Sequence, residues 1–466
     1  VSDRARGRWT LAAAILGSAM AILDGTVVTV ALPVIQQRLS TSLAGAQWVV
    51  ESYLLFLSGL LLVGGALGDR FGRKRVFAAG AGLFGLASGV CGGAPSIAVL
   101  VAARAVQGVG AALLVPGSLA LITAVFPASE RGRAIGTWSG ASALAAALGP
   151  VAGGFLVDRF SWRAVFFLNL PIAATVIAIA VLRMPEDHPR KASSLDAPGA
   201  VAAIFALGGL VFALIEASRA APGSARVVVP AAIAAAAGVA FGFVEARSAH
   251  PMLPLGLFRS RAFAAVNVVT LFLYAALNAA VFFLPFNLIQ SHGYSPTEAG
   301  AAILPVVLLV ALLSRWAGRL GERIGPKIPL MAGPALAGAG FAIYPRTGGP
   351  PSAYFRTCLP PIALLGLGMA IAVAPLTTAV MSLEPERLAG VVSGINNSIS
   401  RIGGMLAIAA FGIVVAAGSG GAPGRPPSAS DAGLRAIAVG SAGLAFAAAA
   451  VAGFLMPGGR NLGRRG

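Results

Sequence analysis

Three side chains stand where an apolar chain tolerates them least: Asp24 in LDGTVVTVALP, Glu51 in WVVESY and Arg104 in LVAARAVQGVGAA. A charged group in the middle of a hydrocarbon-spanning helix costs about 2.5 to 3.5 kcal/mol on insertion scales unless it meets a partner or a polar cavity. A carboxyl held in such surroundings is a group that can take up and release a proton. A guanidinium keeps its charge there and needs a carboxylate, backbone carbonyls or water. Asp24 carries most weight as a proton carrier, with Glu51 and Arg104 assisting. Each has a competing structural reading. Asp24 can be an acid hydrogen-bonded to Thr26 or to a neighbouring helix. Glu51, about one turn into its segment, can serve as a helix N-terminal acid at the interface. Arg104 can snorkel to a headgroup.

The elements that must hold these groups are membrane spans. The chain has 466 residues, 57% of them hydrophobic and 11% charged, with mean hydropathy +0.86, and this composition predicts an all-α integral membrane protein rather than a set of soluble domains. The formal charge of +18 is spread over short loops with no aromatic-interleaved basic region, so nucleic acid is not an expected partner. Cys91 and Cys358 have no metal-ligand or CxxC spacing and read as packed thiols.

Apolar runs predict fourteen spans, beginning near residue 9 and ending near 456. The first carries Asp24 and leads straight into further spans, unlike a cleaved signal. An even count places both termini on one side. Of the 34 Lys and Arg, 23 fall on that side and nine on the other, so the positive-inside rule predicts cytosolic termini in a cytoplasmic membrane. The expected layout is a six-helix bundle over 1–190, a two-helix insertion over 191–250 and a second six-helix bundle over 251–466.

One segment occurs twice. GALGDRFGRKR at 65–75 returns as GRLGERIGPKI at 318–328, with six identities and Glu322 answering Asp69. The first copy joins spans 2 and 3 and the second joins spans 10 and 11, which points to duplicated halves. Gly68, Gly72, Gly321 and Gly325 permit a sharp cytosolic reversal. A basic glycine-rich loop that merely satisfies the charge rule is the plainer alternative.

These segments together resemble the major facilitator superfamily, and within it the fourteen-span drug:proton antiporters, over nearly the whole chain. By that likeness, Gly65, Gly68, Asp69, Arg70, Gly72 and Arg73, with Gly321, Glu322 and Arg323, form a cytosolic gate; Pro326 stands where Arg73 stood. The likeness also gives Arg104 a part in proton coupling. ALAAALGPVAGG at 143–154 is similar to the antiporter hinge motif, with Gly149, Pro150, Gly153 and Gly154 matching and Ala145 in place of a glycine. Glycine-rich packing without gating is the alternative there. WRAVFFLNLP resembles the entry to the sixth span, with Asn169 and Pro171 read as structural.

The second half is less charged. Asn267, Asn278, Asn396, Asn397 and Arg401 lie at membrane depth and, with Gln107, are expected to line a substrate cavity; interhelical packing is an equal alternative for each asparagine. No carboxylate lies well inside spans 9 to 14, since Glu298 sits at a mouth, which argues against divalent cations as cargo. Glu216 and Glu245 read as interfacial and carry no role. There is no GxxxxGK[ST] loop, and His188, His250 and His292 are isolated, so no ATPase engine, metal site or cofactor is expected. The resemblance implies a non-enzymatic secondary transporter, working as a monomer, that exports a lipophilic or amphipathic small molecule in exchange for protons. A dedicated exporter of an endogenous metabolite or antibiotic is the runner-up. A non-transporting membrane sensor on the same fold is the rival from another class.

Overall fold

The computed structural model describes residues 3–185, 196–221, 223–248, 251–344, 349–382, 389–418 and 431–456, and these are helical with no strand among them. Thirteen described helices are long and apolar enough to cross a membrane, and a shorter apolar helix of 17 residues, Lys327–Ile343, lies where the eleventh of the fourteen spans is expected. The chain is a multi-pass membrane protein.

Contacts divide the chain into two compact units. The first comprises Val1–Leu210 and Val229–Met252, and the second Val211–Val228 and Leu253–Gly466. The first contains α1 (Asp3–Arg38), α2 (Leu43–Phe71), α3 (Arg73–Gly93), α4 (Ile97–Val125), α5 (Ala128–Arg159), the short α6 (Ala164–Phe167) and α7 (Asn169–Arg183). Next come α8 (Ala197–Ala217) and α9 (Ala225–Arg247), a pair of which Val211–Val228 belongs to the second unit. The second unit continues with α10 (Arg261–His292), α11 (Pro296–Ala302), α12 (Leu304–Ile324), α13 (Lys327–Ile343), α14 (Tyr354–Thr357), α15 (Leu359–Ser382), α16 (Ala389–Gly418) and α17 (Asp431–Leu455).

Local chemistry sets the boundaries. Ser42 caps α2 by accepting from the Gly45 N–H at 3.3 Å, and Ser295 and Glu298 form a capping box at the start of α11. The duplicated loop folds alike in both units. Gly72 (φ 98°, ψ 124°) breaks α2 from α3, and Gly325 (φ 83°, ψ 157°) follows the end of α12. A side chain at either position would meet the steric penalty that only glycine avoids.

Helix packing is duplicated too. Gly318 stands 253 residues after Gly65, and Gly333 stands 253 residues after Gly80. A Cβ on Gly80 would lie 2.9 Å from the Gly110 carbonyl oxygen, and one on Gly333 would lie 2.7 Å from that of Gly368. Glycines therefore bring α3 onto α4 and α13 onto α15 at backbone contact, the close approach that small residues provide in membranes. The first unit's core is built around Phe77, Phe84, Leu114 and Tyr53, and the second unit's around Phe263, Leu273, Phe341 and Ile362.

Glycine substitutions test this packing by sign. Gly136 on α5 has open space around its Cβ direction, so Gly136→Ala should be neutral or stabilising by up to about 1 kcal/mol, the helix-propensity gain. Gly110→Ala gains the same propensity but meets the Phe84 backbone nitrogen at 2.7 Å, so it should lower the thermal midpoint of the detergent-purified protein. Equal midpoints for the two variants would contradict the packing described.

Candidate functional site

Arg104 is 1% exposed and sits deep in α4, so the snorkelling alternative is excluded. Its side chain is met by groups from α1, α2 and α6 and by Gln107 of α4 itself. Nε donates to the Val49 carbonyl of α2 at 2.9 Å, and Nη1 donates to Gln107 Oε1 at 2.7 Å and to Asp24 Oδ2 of α1. The guanidinium carbon lies 4.3 Å from the ring centre of Tyr53 and 5.9 Å from that of Phe166. Spacing explains the pairing: residues three apart share one helix face, so Arg104 and Gln107 both turn toward α1.

Asp24 is equally enclosed, at 1% exposure. Its Oδ1 accepts from Gln107 Nε2 at 2.8 Å and from Asn169 Nδ2 of α7 at 2.9 Å. Ser88 of α3 closes the network. Its Oγ accepts from Gln107 at 2.8 Å and Asn169 at 3.3 Å, and donates to the Phe84 carbonyl at 2.8 Å. Cys91 packs on the same amide, its Sγ 3.7 Å from Gln107 Oε1. Asp24 thus accepts from three side chains on two other helices, an ionised carboxylate in an ion pair with a buried guanidinium. Thr26 does not serve it, because the Thr26 hydroxyl donates to the carbonyls of Ile22 and Leu23.

Glycines let the helices come this close. A side chain on Gly108 would strike the Tyr53 carbonyl of α2, and one on Gly110 would strike the Phe84 backbone of α3. The motif LVAARAVQGVGAA therefore carries both the polar groups and the clearance that lets them reach their partners. Gly149 and Gly153 of α5 pack against Thr26 and Val27, immediately beyond Asp24 on α1, and Pro150 and Gly154 are buried beside them.

Glu51 lies elsewhere. It is fully buried more than two turns from Leu43, where α2 begins, so it is not a first-turn interfacial acid. Neither of its carboxyl oxygens has a hydrogen-bond partner, and none joins it to Asp24. Glu245, expected at an interface, is also buried, 3% exposed on α9. Glu216 lies 3.6 Å from Arg219.

In the first copy of the duplicated loop, Arg73 pairs with Asp69 at 2.8 Å and reaches the Ala120 carbonyl of α4 at 3.1 Å, while Lys74 donates to the Met184 carbonyl at 3.0 Å. Gly65 faces Pro116 of α4, and Arg70 stacks on Phe71. In the second copy, Gly321 packs on Pro375 of α15, and Glu322 and Arg323 are exposed. Pro326 there cannot supply the Arg73 pair.

Of the residues expected to line a cavity, Gln107 is instead sealed in the Asp24 network. Asn396 donates to Asn267 Oδ1 at 3.1 Å and to Thr270 Oγ1 at 2.7 Å, tying α16 to α10. Asn278 donates to the Tyr274 carbonyl and packs at Gly404, whereas Asn397 is exposed and Arg401 half-buried. Sequence reasoning missed Ser88 and the part played by Asn169. An asparagine opening α7 invites a structural reading, and a serine on a helix carries no signal of its own. Only the demand of Asp24 for donors points to them.

Comparison with known proteins follows the same lines. The model of the Major Facilitator Superfamily matches residues 14–408. The Multidrug resistance protein Stp of Mycobacterium tuberculosis is 37% identical over 409 residues, covering 88% of this chain and 76% of that protein. The Tetracenomycin C resistance and export protein of Streptomyces glaucescens is 35% identical over 419 residues, covering 88% and 77%. Among solved structures, a bacterial homolog of the human lysosomal transporter Spinster superposes with TM-score 0.69 at 18% identity, covering 96% of each chain. Peptide transporter POT superposes with TM-score 0.70 at 16% identity, covering 98% of this chain and all of the other. At these identities the structures show the fold alone.

The ion pair makes a quantitative prediction. Asp24→Asn leaves a buried guanidinium without its carboxylate and Arg104→Gln leaves the reverse, so each should cost about 3 to 5 kcal/mol of stability. The double variant should recover part of that loss, measured as thermal midpoints in detergent. Additive losses would show that the two side chains do not stabilise each other.

Proposed function

The chain belongs to the major facilitator superfamily, and from that premise we propose that it is a drug exporter driven by protons through the Asp24–Arg104 pair. It is a transporter of small molecules and not an enzyme. The observation that carries the reading is the sealed carboxylate: an acid and a guanidinium that neutralise each other at membrane depth, joined to four helices of one unit. A proton delivered to Asp24 cancels its charge and releases Arg104, so proton binding is coupled to how α1, α4 and α7 hold together. Glu51, buried with no hydrogen-bond partner on either carboxyl oxygen, serves as the second carrier.

In this reading the Asp69–Arg73 pair and the glycines at 65, 68 and 72, with Arg70, form a cytosolic gate, and Gly321, Glu322 and Arg323 form its weaker counterpart. Gly149, Pro150, Gly153 and Gly154 act as a hinge where α5 bears on α1. The domains alternate access as a six-helix bundle over 1–190, an insertion over 191–250 and a second bundle over 251–466. The protein works as a monomer in the cytoplasmic membrane with both termini in the cytosol. Resistance and export proteins among its relatives support lipophilic drugs or antibiotics as cargo. Several are named for one compound, as with the Puromycin resistance protein of Streptomyces alboniger, and this favours a dedicated antibiotic exporter as the second reading.

The test is efflux from proteoliposomes under an imposed pH gradient. Collapse of the gradient should abolish uphill transport by the intact protein, and Asp24→Asn should abolish coupled flux while leaving some downhill exchange. Glu51→Gln should lower coupled flux about tenfold or more. Uphill transport without a gradient, or full coupled flux in Asp24→Asn, would refute proton coupling at this site.

A further inference from the structure

Two helices of the first unit enter the membrane in the same way. α1 carries Arg6, Gly7 and Arg8 directly before WTLAAAIL, and α5 carries Arg131, Gly132 and Arg133 directly before AIGTW. In each, an arginine stands where the polar end gives way to the apolar run. Arg8 and Arg38 are thirty residues apart on α1, about 45 Å at 1.5 Å per residue, the thickness of a bilayer with its headgroup layers. Arg8 therefore stands at headgroup level. Trp9 beside it, 38% exposed and with Arg183 stacked 5.7 Å from its ring centre, is an interfacial aromatic at the same level.

The two helix starts enclose one cavity with the end of α4. Its volume is about 620 Å³ and it lies within the first unit. Arg8 and Arg133 line it from different helices, and both are exposed. Neither side chain is in an ion pair or hydrogen bond with any described residue. Arg131, by contrast, is committed, since its Nε donates to the Phe126 carbonyl at 2.9 Å. Leu11, one turn deeper on α1, and Val125 and Phe126 at the end of α4 make an apolar wall. Buried Gly7 lets that wall close up, because a Cβ there would already touch the Phe126 ring at 3.4 Å. Glu130 is the acid in the lining and belongs to the first turn of α5, where a carboxylate complements the positive helix end. Two cations against one anion leave the lining with a net positive charge.

Guanidinia beside an apolar wall, at headgroup level, match a molecule that is anionic at one end and hydrocarbon at the other. We propose that this cavity between α1, α4 and α5 binds an anionic phospholipid of the phosphatidylglycerol class. The phosphodiester lies between Arg8 and Arg133, which donate N–H groups to its oxygens, and the acyl chains run along Leu11, Val125 and Phe126. A free phosphate would meet the same arginines and leave the apolar wall uncovered, so the wall favours the lipid. Bound there, the lipid braces the start of α1, the helix of Asp24, against α4 and α5. The site goes beyond the exporter reading and does not depend on it, because it is read from lipid binding alone.

The test uses the intact chain, purified in detergent and delipidated, with lipid binding followed by native mass spectrometry. The probes are phosphatidylglycerol, phosphatidylcholine and phosphatidylethanolamine of equal chain length, with glycerol 3-phosphate as the free anion. Arg8→Gln and Arg133→Gln should each weaken phosphatidylglycerol about fivefold, the worth of one arginine at an anionic lipid surface. The double variant should weaken it roughly twentyfold or more if the two act independently, with phosphatidylcholine unchanged. Arg8→Lys should keep part of the binding, since it keeps the charge. Glu130→Gln should tighten phosphatidylglycerol by relieving repulsion. Thermal midpoints without lipid should match the intact chain in all of these variants, which shows that they fold. Equal binding of phosphatidylglycerol and phosphatidylcholine by the intact chain, or undiminished phosphatidylglycerol binding in the double variant, would overturn the proposal. So would glycerol 3-phosphate binding as tightly as the lipid, which marks a free-anion site, or a preference for phosphatidylethanolamine that Glu130→Gln abolishes, which marks recognition of an ammonium group.

Discussion

A guanidinium that cannot reach water is the constraint around which the first unit is arranged. Arg104 keeps its charge at any accessible pH, so the fold must supply an anion, carbonyl oxygens and a polarisable surface at a depth where none comes free. Asp24, the Val49 carbonyl, Gln107 and the Tyr53 ring meet that demand from two other helices and from α4 itself. Meeting it creates the next demand. Asp24 then needs donors for its second oxygen, which brings in Asn169, and the shared amide protons require Ser88. Small residues are the precondition for all of this. Without Gly108 and Gly110, α2 and α3 would stand off from α4 by the width of a side chain, and neither the Val49 carbonyl nor Ser88 would be within reach.

The second unit repeats the scaffold and omits the chemistry. Gly325 and Gly333 reproduce the turn and the close helix contact of Gly72 and Gly80, so the duplicated parts are those that set backbone geometry. Of the first loop's ion pair only the acid has a counterpart, Glu322 for Asp69. Pro326 replaces Arg73, and the polar contacts between α10 and α16 are neutral, amide to amide and amide to hydroxyl. Neutral hydrogen bonds between membrane helices are worth only about 1 kcal/mol or less on average. The first unit is tied across its helices by a buried ion pair, whereas the contacts between α10 and α16 of the second are neutral.

How much of this was legible in the sequence depends on how expensive each residue is when misplaced. Asp24 and Arg104 announce themselves because a charge in an apolar run has few tolerable explanations, and the repeated loop does so through its spacing. The all-helical, membrane-spanning character was legible for the same reason, as hydropathy tracks the backbone's need to satisfy itself in lipid. Asn169 and Ser88 were not, because an asparagine at the start of a helix and a serine within one are both cheap and common. The depth of Glu51 was misjudged because α2 starts at the Ser42 cap, before its hydropathy rises, and this adds a turn outside the acid. Gln107 was read as cavity lining when its neighbour on the helix face, Arg104, is what it serves. Pairings of this kind require the facing helix, and a single sequence does not say which helix that is.

The donor inventory of the network limits what a proton can do there. Both partners of Asp24 Oδ1 are amide N–H donors and the partner of Oδ2 is a guanidinium, so the carboxylate is surrounded by donors and has no acceptor facing it. A proton added to either oxygen is a fourth donor in a site that already has three. It finds no lone pair to accept it unless one partner withdraws or turns, as the amides of Gln107 and Asn169 can by presenting an oxygen in place of an NH2 group. If Asn169 turns, α7 loses this hydrogen bond to α1. If Gln107 turns, its oxygen leaves Arg104 and its NH2 leaves Ser88, loosening α3 from α4. Either route changes bonds between helices rather than within one, so a proton cannot bind to Asp24 as an isolated event. That constraint follows from the donors the site presents, and it is the physical ground of the proposed coupling.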